Sequence, residues 1–179
     1  MTRVFLRELP NHNVVKLAKG EGSASQVANL RLIWKARGPE TGYQFSIYEM
    51  VLQPGDGIPL HKHPYAEFFM VLEGEMSFAR MSEDETVEWI ECSAGDSVIA
   101  PANAPHTFHN RGTQIARFLS VSTYYHETMF ISGAVSVGAD APPPANLPPD
   151  VFQKFVIASE QAQVFVVSPQ SEEQELIHD

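Results

Sequence analysis

Four side chains between Gly55 and Asn110 have the types and spacing to do metal chemistry: His61, His63, Glu67 and His106. Imidazoles and a carboxylate together form a mixed N/O donor set suited to first-row transition metals. In an extended segment, residues two apart project to the same side, so His61 and His63 point together while Lys62 points oppositely. Glu67 opens the next apolar run, and alternate counting from it puts Phe69 and Val71 on the same inward face. On the last segment His106 shares its parity with Phe108, leaving Thr107 and His109 outward. A His-x-His pair alone is commonplace. What points to metal is the convergence of four donors from two hairpins inside one barrel. His109 is read as an outward strand residue, and His12, His126 and His178 have no partner spacing and are read as surface or core side chains.

These donors need short strands and tight turns to position them. Tyr43–Leu52 is rich in aromatic and β-branched residues, as a strand should be, and Gln53–Gly57 turns the chain. Glu67–Arg80 reads as a hairpin broken at Glu73-Gly74-Glu75. Thr86–Cys92, Ser97–Ala100, Thr107–Asn110 and Ile115–Tyr124 read as further strands separated by Gly-containing turns. Many short strands at this spacing predict an all-β sandwich or barrel. After about Glu127 the character changes. Ala141–Pro149 is a proline-rich connector, Asp150 can cap a helix through about Ser159 with Val151, Phe152, Phe155 and Val156 on one apolar face, and Val164–Val167 reads as a strand. The expected organisation is one barrel over 1–126, with its motif core at 55–110, and a C-terminal extension over 127–179 packing on it.

Composition bounds the function. The chain has 179 residues, 44% hydrophobic and 19% charged, which suits one well-buried core. A formal charge of −10 argues against a general nucleic-acid or anionic-membrane surface, which needs clustered Lys and Arg. Cys92 is the single cysteine, so no intrachain disulfide forms, and it reads as a small buried side chain. No apolar stretch approaches the roughly 20 residues of a membrane span, and the start, Met1–Glu8, carries charges where a secretory signal would be apolar. A cytoplasmic location is expected.

Placed together, these residues resemble the two motifs of the cupin superfamily. The first, G-x5-H-x-H-x3,4-E-x6-G, is matched at Gly55, His61, His63, Glu67 and Gly74. The second, G-x5-P-x-G-x2-H-x3-N, is matched at Gly95, Pro101, His106 and Asn110, with Asn103 standing where the family has Gly. That Gly permits φ > 0 in a tight turn, and Asn is the next most tolerant residue there. The resemblance implies a jelly-roll β-barrel with a short C-terminal helical appendage, and His61, His63, Glu67 and His106 as ligands of one divalent transition metal per chain. Fe, Mn, Ni, Co and Cu all suit that set, and Zn is admitted.

The segment Ala36–Tyr43 and the proline-rich link with its helix further resemble single-domain cupins of the quercetin-2,3-dioxygenase-like subgroup. This resemblance implies a dioxygenase acting on a small aromatic or enol substrate, flavonol-like, with Glu67 as the catalytic base and Phe69, Phe108, Phe118 and Tyr48 as candidate walls of the substrate pocket. It also implies a homodimer. Two other readings stay open: a redox-neutral isomerase, cyclase or lyase on a keto or polyketide substrate, and a non-enzymatic small-molecule-binding cupin.

Overall fold

The structure is a computed structural model and describes residues 14–27, 30–138 and 149–168. The N-terminal stretch with His12, the connector at 141–148 and the acidic tail with His178 lie outside the described residues. Alternating apolar segments become antiparallel strands: β1 (Ala24–Val27), β2 (Leu30–Ala36), β3 (Phe45–Leu52), β4 (His61–Lys62), β5 (Glu67–Glu73), β6 (Glu75–Met81), β7 (Val87–Ser93), β8 (Ser97–Ala100), β9 (His106–His109) and β10 (Ala116–Thr123). Helix α1 (Tyr124–Gly133), β11 (Val135–Val137), α2 (Pro149–Gln161) and β12 (Phe165–Val166) follow. One sheet has the order β11-β1-β2-β3-β10-β5-β8 and the other β12-β4-β9-β6-β7. Facing each other, they form an all-β jelly roll with a small helical part.

The expected hairpin is present, with β5 and β6 joined at Gly74, whose φ is +76°. A Cβ there would lie 2.7 Å from the Ile115 carbonyl oxygen, so both the turn and the close approach require glycine. Strict alternation along β10 buries Ala116, Phe118, Ser120 and Ser122. Phe118 sits in an edge-on cluster with Phe69, Phe78 and Phe108, at ring separations of 5.6, 5.8 and 4.8 Å. Cys92 packs in this core, and burial, followed by the charges of Asp96 and Glu91, pushes its thiol up.

The C-terminal part differs from the sequence reading in three ways. The strand expected to run to Tyr124 ends at Thr123, whose hydroxyl accepts from the His126 backbone N–H and caps a helix that alternation did not predict. Second, β11 was not expected and pairs with β1, while the strand expected at Val164–Val167 is present as β12 and pairs with β4, so residues after 126 contribute a strand to each sheet. Third, α2 does not bury the whole of its expected apolar face. Phe152 is 55% and Val156 40% exposed, while Ala158 and Ala162 are buried and Phe155 seats against α1. Gly133 of α1 makes that seat, since a Cβ there would lie 2.6 Å from Phe155 Cβ. Among the described residues, no helix is long and apolar enough to cross a membrane.

Candidate metal centre

Backbone register brings the candidate donors together. His61 on β4 is paired with His106 on β9, and their rings lie 4.4 Å apart. His63 follows β4 by one residue, with its ring 4.9 Å from that of His106. The turn carrying the second motif is tied to it, because the Asn103 N–H donates to the His63 carbonyl at 2.7 Å. Asn103 has φ +65°, the left-handed conformation that the family's glycine would supply. Asn110 joins the same turns from the other end. Its amide donates to the Leu52 and Gln114 carbonyls, and its backbone N–H to that of Asp56.

Each histidine is oriented by its own local carbonyl. Nδ1 of His61 lies 3.1 Å from the Pro59 oxygen, Nδ1 of His63 2.7 Å from that of Tyr65, and Nδ1 of His106 2.9 Å from that of Ala104. A carbonyl only accepts, so Nδ1 is the protonated nitrogen in all three and Nε2 carries the lone pair. The Nε2 atoms of His63 and His106 are buried and have no hydrogen-bond partner. Such atoms are costly unless something occupies them. They face Glu67 Oε2, at 3.3 Å from His63 and 3.8 Å from His106. Two donors bound to one ion at about 2.0–2.2 Å stand roughly 3.0–3.5 Å apart at right or tetrahedral angles, so the His63 spacing suits a shared ion and the His106 spacing lies slightly beyond it. The donor set therefore fits a divalent transition metal, and the cluster is able to hold one.

Glu67 is fixed by its other oxygen. Oε1 accepts from the Tyr48 hydroxyl at 2.8 Å and the Ser120 hydroxyl at 2.6 Å. Burial alone would raise the Glu67 pKa, but the neighbouring His126, His106 and His63 and the Ser120 hydroxyl outweigh it and hold the carboxyl well below its usual range. Burial first, and then the Glu67 charge, push the Tyr48 hydroxyl well up, so it remains a donor. Burial and then the neighbouring His106 lower His61 to about 3. The shifts of Glu67 and His61 both favour the form that can ligate, a carboxylate and a neutral imidazole.

One residue dismissed from the sequence belongs in this group. His126 is buried, with Nδ1 2.9 Å from Ser122 Oγ and 3.6 Å from Glu67 Oε2, and its ring is 5.3 Å from that of His63. His63, Glu67 and His126 form a second triad able to hold a metal ion, overlapping that of His61, His63 and His106. Its spacing from the motifs carried no signal, because a helix starting at Tyr124 and not strand parity delivers it. His109 does lie outside the centre, its Nε2 3.0 Å from the Ile58 carbonyl oxygen. Thr107, expected outward, is nevertheless buried, since its hydroxyl donates to the same Ile58 carbonyl.

A cavity of about 370 Å³ is lined by His106, and by none of His61, His63, Glu67 or His126. Phe69, Phe78, Ile90, Val98 and Pro101 contribute to its largely apolar wall. Of the four aromatics expected to line a substrate pocket, Phe69 lies on this wall. Phe108 and Phe118 are closed into the core, and Tyr48 is occupied with Glu67.

Comparison with known proteins agrees with this geometry. The Cupin_2 family model (Cupin domain) matches residues 48–122, the stretch that holds all four expected ligands. Over these residues the chain is similar to a cupin domain. A germin-like protein from Morus alba is 36% identical over 78 residues, 43% of this chain, so the chain spans only 37% of that curated relative's length. The polyketide cyclase RemF from Streptomyces resistomycificus superposes with a TM-score of 0.53 at 22% identity, over 63% of this chain and 80% of that one. A predicted oxalate decarboxylase from Thermotoga maritima gives 0.54 at 20% identity, over 61% and 98%. A sugar phosphate isomerase from a cupin superfamily of Silicibacter pomeroyi gives 0.51 at 24% identity, over 61% and 75%. At these identities the likeness is one of fold, and its members differ in chemistry.

Proposed function

We propose that this cupin is a metal-dependent enzyme in which His61, His63, Glu67 and His106 hold one divalent ion, and that it acts as a dioxygenase on a small aromatic enol. The observation that carries the metal assignment is the pair of buried, unpartnered Nε2 atoms on His63 and His106, aimed at a carboxylate oxygen. The cavity beside His106 supports the substrate class. At about 370 Å³ it is within the roughly 300–1,000 Å³ of small-molecule sites, and its apolar wall suits aromatic rings more than sugars. When bound, a divalent ion would supply charge stabilisation at a substrate oxygen, and the electrons taken up by dioxygen would come from the deprotonated enol itself.

The chain's own residues orient and exclude water. Phe69, Phe78 and Val98 would seat the rings, and His106 marks the end at which an enol oxygen must point. Glu67 Oε2 bears no hydroxyl donor and is the atom proposed to take the enol proton, while Tyr48 and Ser120 keep Oε1 in place. Aerobic incubation of Fe-, Mn-, Ni-, Co- and Cu-loaded protein with flavonols tests this reading. Ring-cleaved product with oxygen uptake is expected, and absence of turnover with every metal would overturn the dioxygenase.

The fold shared with the polyketide cyclase RemF favours one second reading, a redox-neutral cyclase or isomerase on a keto substrate. Turnover under strict anaerobiosis would select it. A homodimer is also proposed. Met70, Leu72 and Ile99 are exposed on neighbouring strands β5 and β8 and offer a surface a second copy could cover, which light scattering of the purified protein would test.

A further inference from the structure

We propose that His126 is a positioning residue of the metal centre: anchored to Ser122, its imidazole sets the orientation of the Glu67 oxygen that faces the ion. This rests on the reading that His61, His63, Glu67 and His106 hold a metal. The two oxygens of Glu67 have different surroundings. Oε1 is gripped by the Tyr48 and Ser120 hydroxyls, at 2.8 and 2.6 Å. Oε2 has no hydroxyl donor and lies among three imidazole nitrogens: His63 Nε2 at 3.3 Å, His126 Nδ1 at 3.6 Å and His106 Nε2 at 3.8 Å. Two of these belong to proposed ligands that present lone pairs. The third does not resemble them.

His126 turns Nδ1, not Nε2, toward the carboxylate, and that nitrogen is already 2.9 Å from Ser122 Oγ. A lone pair on Nδ1 would confront the carboxylate across a dry interior, where like partial charges are costly. The Nδ1–H tautomer puts a positive end between Ser122 Oγ and Glu67 Oε2 instead, with Ser122 accepting. Ser122 and Ser120 face inward from the same strand, so β10 carries the anchors for both sides of the carboxylate. The ring itself has little freedom. It stacks on Phe130 at 4.9 Å and 24°, and Thr123 caps the turn that delivers it. Partners that orient metal-binding carboxylates typically change metal affinity by about 10–100-fold when removed.

Cobalt(II) is the probe, with affinity read by chelator competition and geometry by the visible absorption spectrum of the purified 179-residue chain. His126→Phe fills the same space without a donor and should weaken Co(II) binding about 10–100-fold and shift the spectrum. His126→Asn keeps an N–H near the position of Nδ1 and should recover affinity to within a few fold, with a spectrum close to that of the unaltered protein. Ser122→Ala should fall between the two. The proposal is overturned if His126→Phe binds Co(II) with unchanged affinity and spectrum, which would make the ring a filler. It is equally overturned if His126→Asn loses as much as His126→Phe, since the imidazole would then be a ligand or packing element and not a donor. Should His126→Phe fail to fold, His126→Asn and Ser122→Ala decide the matter. An unaltered protein that takes up no Co(II) would remove the metal reading itself, a different failure from equal binding in the variant.

Discussion

The barrel interior is built from two zones that meet where Phe69 stands 6.0 Å from His106. In the apolar zone Phe69, Phe78 and Phe108 each pack edge to face with Phe118, and no polar group among them is left to satisfy. The polar zone holds His61, His63, Glu67, His106 and His126, with Tyr48, Ser120 and Ser122 around them. Its hydroxyls and Nδ1 atoms are paired, yet two Nε2 atoms are left over. The apolar zone thus stabilises the chain by itself, whereas the polar zone lowers stability until a ligand fills it. The two zones should respond differently to mutation, to metal and to acid.

The largest effect belongs to the apolar zone. Phe118→Ala empties a fully buried site between three rings, and unfolding in urea should show a loss of about 3–5 kcal/mol. A loss under 1 kcal/mol would mean that the core collapses around the gap and that the division between zones is softer than drawn. Next comes the ion. A divalent metal at 100 times its Kd should stabilise the unaltered protein by about 2.7 kcal/mol, because only the folded chain assembles the donors. His61→Ala should abolish that gain, measured against the metal-free stability of the same variant. Equal stabilisation of both proteins in thermal melts would place the ion elsewhere.

Acid should act on the polar zone alone. In the metal-free protein burial lowers His61 to about 3 and His126 to about 4, against an ordinary value of 6.5. Between 6.5 and those values the unfolded chain takes up protons that the folded chain refuses, so this contribution is complete above 6.5 and fades as the pH falls. Glu67, held well below its usual 4.5, loses its stabilising contribution lower still. Urea midpoints of the metal-free protein should therefore decline from pH 7 to pH 4. A flat profile over that range would show that the imidazoles are not sealed from water.

The zones also differ in how legible they were. The four expected ligands lie on strands or their margins, where a period of two converts sequence spacing directly into a shared face. Phe69 and Phe108 followed by the same parity. Which aromatics line the cavity did not follow, because parity sends core and wall residues to the same side and only depth separates them. Helix α1 was illegible for another reason. Its buried residues are His126, Glu127, Met129, Phe130 and Gly133, so two of the five positions that should look apolar are ionisable. Glu127 is buried because it accepts from Arg37 Nε at 3.0 Å and from the Gly38 N–H at 2.6 Å. These partners lie about ninety residues away in sequence, beyond any local pattern. The polar contacts that fix α1 over the centre are the same ones that hid it, and His126 was hidden with it.

The smallest effect concerns the single departure from the family motif. Asn103 is exposed and has φ +65°, so its side chain contributes little packing and the backbone decides the outcome of substitution. Asn103→Ala should cost roughly 1 kcal/mol, since a β-carbon without a local polar partner disfavours the left-handed region. Asn103→Gly should lie within about 0.5 kcal/mol of the unaltered protein, because glycine adopts that conformation freely but loses more entropy on folding. The turn still bears on the polar zone, because the Asn103 N–H donates to the His63 carbonyl at 2.7 Å. If that bond only closes the turn, Asn103→Ala will lower stability and leave Co(II) affinity unchanged. If affinity falls as well, the backbone of the second motif is part of what aims His63, and the polar zone extends outward to the surface of the barrel.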